Sequence, residues 1–76
     1  MNILKRGKYR HYKGKLYEVI DLAIDSESLE EMVVYRPLYG EGRLWVRPLK
    51  MFIEDIMIHG QLFKRFEFLG DLSQEH

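Results

Sequence analysis

Pro48-Leu49-Lys50-Met51-Phe52 interrupts a chain that is otherwise built of short strand-like runs and glycine turns. Proline suits the first position of a helical turn, because its φ is already set and its missing N–H would have no partner there. The apolar residues after it are spaced to dock one side of a single α or 3₁₀ turn, with Met51 and Phe52 as core plugs beneath it.

Upstream, Arg43-Leu44-Trp45-Val46-Arg47 reads as a strand entered from the tight turn Gly40-Glu41-Gly42. Before that turn, Met32 to Tyr39 reads as another strand. Pro37 removes a ladder donor, so that end is expected at an edge or a bulge. Asp25 to Glu31 is polar and rich in turn formers, an exposed connection in which Ser26 or Ser28 could cap a short helical turn. Leu16 to Ile24 is the longest strand. Tyr17, Val19 and Ala23 share one face with Asp21 as the exception, and Leu16, Ile20, Leu22 and Ile24 share the other, so both faces are expected to feed the core. Tyr9-Arg10-His11-Tyr12 alternates and leads into Lys13-Gly14, a hairpin turn with glycine at the positive-φ site. Downstream, Ile56-Met57-Ile58, the turn His59-Gly60 and the run from Leu62 to Phe68 read as a closing hairpin. Five or six short strands and one helical turn just before the last of them describe a mainly β fold, a small SH3-like barrel or roll. An OB-type barrel is the alternative, but it ordinarily requires a longer chain and a full helix between strands.

The chain has 76 residues, 46% of them apolar and 13% aromatic, with no cysteine. That is enough for a single domain with one tight core, expected over residues 7–69, followed by a polar tail at 70–76 that frays. Without cysteine, neither a disulfide nor a thiolate zinc site supplements the core. No apolar run is long enough to span a bilayer, and the N-terminus lacks the apolar segment of a signal peptide, so a cytoplasmic location is expected.

Net charge is zero but unevenly distributed. Residues 1–16 carry six bases and no acid, and residues 17–31 carry six acids and no base. Cross-strand neutralisation is the first expectation and separate patches the second. Zero net charge argues against a dedicated duplex-DNA binder, whose affinity comes chiefly from phosphate neutralisation.

Catalysis finds little support. Ser26 and Ser28 sit in a polar loop and Ser73 in the tail, none in a glycine elbow beside a base. His11, His59 and His76 have no spacing that would assemble a metal site. Gly40-Glu41-Gly42 leads into a strand, not into a helix that would hold phosphate. Neither an enzyme nor a cofactor is expected.

Two constellations remain. Tyr9, Arg10 and His11 open a stretch rich in rings and cations that could stack on bases or cage a cation. Tyr35, Arg36, Trp45 and Arg47 flank the Gly40–Gly42 turn, where facing arms of a hairpin bring aromatics and arginines together. These seven residues form the expected binding surface, suited to a single-stranded nucleic acid or an acidic peptide. The rival reading is a structural or assembly role, in which the same aromatics close a homodimer or cover a larger partner.

Gly7-x-Tyr9-Arg10-His11-Tyr12-Lys13-Gly14, Tyr17-Glu18-Val19, Ser26-Glu27, Val33-Val34-Tyr35-Arg36, Trp45-Val46-Arg47-Pro48 and Met51-Phe52 together resemble the pattern of a small bacterial family known only as a domain of unknown function, DUF1653. The resemblance spans roughly residues 7–68. It implies an SH3-like small barrel in a cytosolic protein and no particular activity. The family pattern usually has glycine where this chain has Asp21 and histidine where it has Asp25. A Val-Pro step is also missing before Arg65. If that histidine belongs to a site, this chain has a carboxylate in its place.

Overall fold

The computed structural model describes residues 4–70, which form seven strands and one helical turn. In chain order these are β1 (Gly7–His11), β2 (Leu16–Ile24), β3 (Glu31–Pro37), β4 (Trp45–Pro48), α1 (Leu49–Phe52), β5 (Asp55–Ile58), β6 (Gln61–Lys64) and β7 (Phe66–Gly70). Five strands form an antiparallel sheet in the order β4-β3-β2-β1-β7, and β5 and β6 form a separate two-stranded sheet. The last strand therefore lies beside the first, and α1 with the β5–β6 hairpin makes the crossing. Phe52 on α1 meets the rings of Tyr9, Tyr35 and Phe66 from β1, β3 and β7, so the large sheet curls around the helical turn. Its edges β4 and β7 do not pair with each other. The result is an open SH3-like roll.

The count is seven strands, not five or six, because the run from Leu62 to Phe68 breaks at Arg65. The Arg65 N–H donates to the Glu54 carbonyl (3.0 Å), and the Arg65 carbonyl accepts from the Tyr12 N–H (3.0 Å). These bonds hand the chain from one sheet to the other. The expected Tyr9–Tyr12, Met32–Tyr39 and Arg43–Arg47 strands shift by one or two residues at their ends, and Leu16–Ile24 stands as read. β4 stops pairing with β3 at Tyr35–Trp45, two residues before Pro37, which leaves the proline on an edge as its missing donor requires.

β2 departs from simple alternation. A bulge between Val19 and Asp21 shifts the register against β3. Tyr17 and Val19 point inward, but beyond the bulge it is Leu22, not Ala23, that packs against the core. Leu16, Ile20 and Ile24 are exposed, so β2 feeds the core from one face only. Asp21, turned outward, accepts from Arg6 Nη2 at 2.8 Å and from the Leu22 N–H, and these bonds hold its carboxyl below the usual range.

Seven apolar residues are buried: Tyr9, Tyr17, Val19, Val33, Tyr35, Phe52 and Phe66. Five of these seven are aromatic, which lets a short chain bury large side chains at little rotamer cost. Phe52 and Phe66 stack with centroids 4.0 Å apart and planes 2° from parallel, while Tyr9 and Tyr35 meet Phe52 edge-on at 5.5 Å. Each buried phenol has a partner. Tyr9 donates to the Lys5 carbonyl (2.6 Å), Tyr17 shares a hydrogen with Tyr39 (3.0 Å), and Tyr35 accepts from Arg47 Nε (3.2 Å). Met51 is exposed, so only Phe52 plugs the roll.

A basic aromatic end as the candidate site

The seven residues expected to form one surface separate into three groups. Tyr9 and Tyr35 are 4% and 2% exposed, so their rings belong to the core and face no ligand. Arg10 and Arg36 lie on the outer face, each tied to a carboxylate across the sheet: Arg10 to Glu67 at 2.8 Å, Arg36 to Glu18 at 2.7 Å. His11, Trp45 and Arg47 are linked through shared rings towards the end of the roll that holds the β1–β2 turn and the β3–β4 loop: His11 and Trp45 both meet Tyr17, and His11 and Arg47 both meet Phe66.

Tyr17 joins them. Its buried ring contacts His11 (6.2 Å), Tyr39 (5.8 Å) and Trp45 (6.3 Å). His11 continues the series to Tyr12 at 4.5 Å and to Phe66 at 4.9 Å. Trp45 and Tyr39 remain 46% and 40% exposed, enough for each to offer part of a ring to a ligand. Cations lie over these rings: Lys15 over Tyr39 (4.4 Å), Lys13 over Tyr12 (5.8 Å) and Arg47 over Phe66 (5.7 Å). Such contacts leave a cation's charge available to solvent and ligand.

The electrostatics at this end are lopsided. Arg6, Arg10, Arg36, Lys50 and Arg65 each form an ion pair, but among the described residues Lys13, Lys15, Arg43 and Arg47 form none. Glu41, in the turn of the β3–β4 loop, is the local acid. At the far end of β2 the Asp25–Glu30 loop and Glu31 carry four acids, relieved by one ion pair, Lys50–Glu30 at 3.2 Å. The two charge blocks of the sequence meet in the Arg6–Asp21 pair, while Glu18 of the acidic block is paired by Arg36 from β3 and Arg10 of the basic block by Glu67 from β7. The Asp25 carboxylate accepts from the N–H groups of Glu27 and Ser28, and Ser28 Oγ accepts from the Glu30 N–H, so these two side chains organise the acidic loop without a helical turn.

Two titrations are displaced at the basic end. Burial, and then the positive charges of Arg47, Arg65 and Lys13, lower the pKa of His11. Its Nδ1 accepts from the Lys13 N–H at 3.2 Å, which places the proton of the neutral ring on Nε2. Burial, and then the hydrogen bond to Tyr39, push Tyr17 up to about 12. Lys15 and Tyr17 are members of the site that the sequence did not single out. Their signal was position, since both sit where the longest strand leaves a basic turn.

Among the described residues, no group of three or more His, Asp or Glu side chains could hold a metal ion, and no helix is long and apolar enough to cross a membrane. Residues 71–76, where the fraying tail and His76 were placed, lie outside the described residues.

An open antiparallel roll with one helical turn and an aromatic core defines a small all-β domain of the SH3-like class. Residues 7–68 match the model of a protein family of unknown function, DUF1653, and the chain belongs to that family. A crystal structure of a DUF1653 protein from Bordetella bronchiseptica is similar throughout, with 32% identity, a TM-score of 0.82 and 95% of each chain covered. No curated protein matches the chain. No enzymatic family is indicated by these likenesses.

Proposed function

We propose that this domain is a non-catalytic binding module whose basic end holds a short single-stranded nucleic acid. One observation carries the reading: the half-exposed rings of Trp45 and Tyr39, the latter beneath Lys15, share one end of the roll with Lys13, Arg43 and Arg47, all four cations without a carboxylate partner among the described residues. Rings accept bases of any sequence by stacking, and cations track the phosphates between them. An acidic peptide would satisfy the cations but would leave the exposed rings without flat partners, which favours the nucleic acid. The non-catalytic part is supported by position. Ser26 and Ser28 lie beyond the far end of β2 from His11, so among the described residues no serine has the half-buried histidine as its base.

The test is an NMR titration of labelled protein with oligothymidylate of roughly eight nucleotides, against an acidic peptide of similar charge. The oligonucleotide is expected to move the Trp45 indole N–H and the amides of His11, Lys15 and Arg47. Four phosphate contacts predict a log–log salt slope of about −3. Trp45→Ala is expected to weaken binding about tenfold, the worth of one stacked base. Shifts with the peptide alone would replace the ligand class. No shift with either would remove the binding reading, and a solution dimer that buries Trp45 would assign the face to assembly.

A further inference from the structure

A cleft of about 320 Å³ opens between the end of β1 and β6. The β1–β7 ladder ends in the Tyr12–Arg65 hydrogen bond, and on the other side of Arg65 the chain pairs with β5 instead. The gap left between the tip of β1 and β6 is lined by Arg10, His11 and Tyr12 on one side and by Leu62, Phe63 and Lys64 on the other, with Glu67 from β7 completing it. His11 belongs both to this cleft and to the basic aromatic end, so the two are continuous.

The lining combines flat apolar surface with charge. Tyr12 and Phe63 come from different parts of the chain and are not in ring contact with each other. Phe63 is 42% exposed, a large ring with no aromatic partner among the described residues. Lys64 forms no ion pair among the described residues, although Asp55 is its register partner across the hairpin. Arg10 gives one amino group, Nη2, to Glu67 and keeps other N–H donors. A volume near the lower end of the range for small-ligand sites suits one planar heterocycle with its sugar.

Resting on the binding role proposed for the basic end, we infer that this cleft takes one nucleotide unit, its base against Phe63 and Tyr12 and its phosphate on Lys64 and Arg10. The unit is either a free nucleotide or one residue of the strand that passes over Trp45. Phe63 and Lys64 then fix where the strand starts, while Trp45, Tyr39 and the unpaired cations hold its later nucleotides.

Titration of labelled protein with 5′-AMP, and separately with oligoadenylate of roughly eight nucleotides, separates the two sources. Both probes are expected to move the Phe63 ring and the Lys64 amide. Only the oligonucleotide is expected to move the Trp45 indole as well, and at lower concentration. Phe63→Leu, which keeps an apolar side chain at a half-exposed position, is expected to weaken the oligonucleotide about tenfold with the remaining amide spectrum unchanged. Lys64→Gln is expected to weaken both probes. If the oligonucleotide moves Trp45 but neither Phe63 nor Lys64, or if Phe63→Leu binds as the parent does, the cleft assignment is overturned and the basic-end reading stands. If the nucleotide fills the cleft and the oligonucleotide binds no tighter, the cleft assignment stands for a free nucleotide and the strand is removed. If neither probe moves any of these residues, both fall.

Discussion

His11 is a histidine held in its uncharged form by its setting. Its ring packs against Tyr12 and Phe66, its Nδ1 accepts a backbone hydrogen bond, and the charges of Arg47, Arg65 and Lys13 oppose a further proton. An unfolded chain takes that proton near pH 6.5, and the folded chain only at lower pH. Below that value the unfolded state binds more protons, so stability rises with pH. The contribution is complete above the unfolded pKa and is lost as pH falls through the folded one. Thermal denaturation from about pH 7.5 down to about pH 5 is expected to show a falling Tm, and His11→Asn, which keeps an acceptor near Nδ1, to flatten that fall. An equal slope in the variant would remove His11 from the account. At this scale the sequence was legible only in part. Alternation put Tyr9 and His11 on one face but could not say how far that face would curl. It curls enough to bury Tyr9 in the core and to leave His11 at its open end.

Among the elements, the β5–β6 hairpin is the least supported, since it is a two-stranded sheet of its own with Met57 and Leu62 exposed across from each other. Its two-residue turn has both central residues at positive φ, His59 at 50° and Gly60 at 80°, the geometry that matches strand twist. Glycine accepts this conformation freely, but a histidine resists it. Asparagine tolerates it better, so His59→Asn is expected to stabilise the domain by about 0.5–1 kcal/mol. In a domain this small that is a rise of several degrees in Tm, measurable by thermal denaturation. A lower Tm would show that the histidine ring has a contact worth more than the strain. Glycine-marked turns made the hairpins legible in advance. The break at Arg65 was not, because Phe66 and Phe68 continue the alternation and the bonds that turn the chain come from Glu54 and Tyr12, far away in sequence. The β2 bulge was hidden for a similar reason, since apolar residues occur on both faces of that strand and either face could have been the inner one.

For the molecule as a whole, the proline-started turn was the most informative stretch, because the sheet is built around the one residue it inserts. Phe52 is 1% exposed and touches rings from three strands. Phe52→Ala is expected to cost about 3–5 kcal/mol, which approaches the entire stability of a small domain. Urea denaturation should find it largely unfolded without denaturant or with a midpoint shifted far down, and Met51→Ala, at an exposed neighbour, nearly unchanged. The proposed binding surface was harder to anticipate than the core, since it depends on which cations lack partners, and that is fixed only when distant strands meet. The pairing of β7 with β1 also sets an order of events. While the chain is being made, β1 can find β2 early but must wait for β7, the last of the described strands, with Arg10 and Glu67 separated by 57 positions. Closing so long a loop is the slow step expected of such a topology. Until then β1 has an open side, and the charges of Lys8 and Arg10 along it discourage pairing with a neighbouring nascent chain.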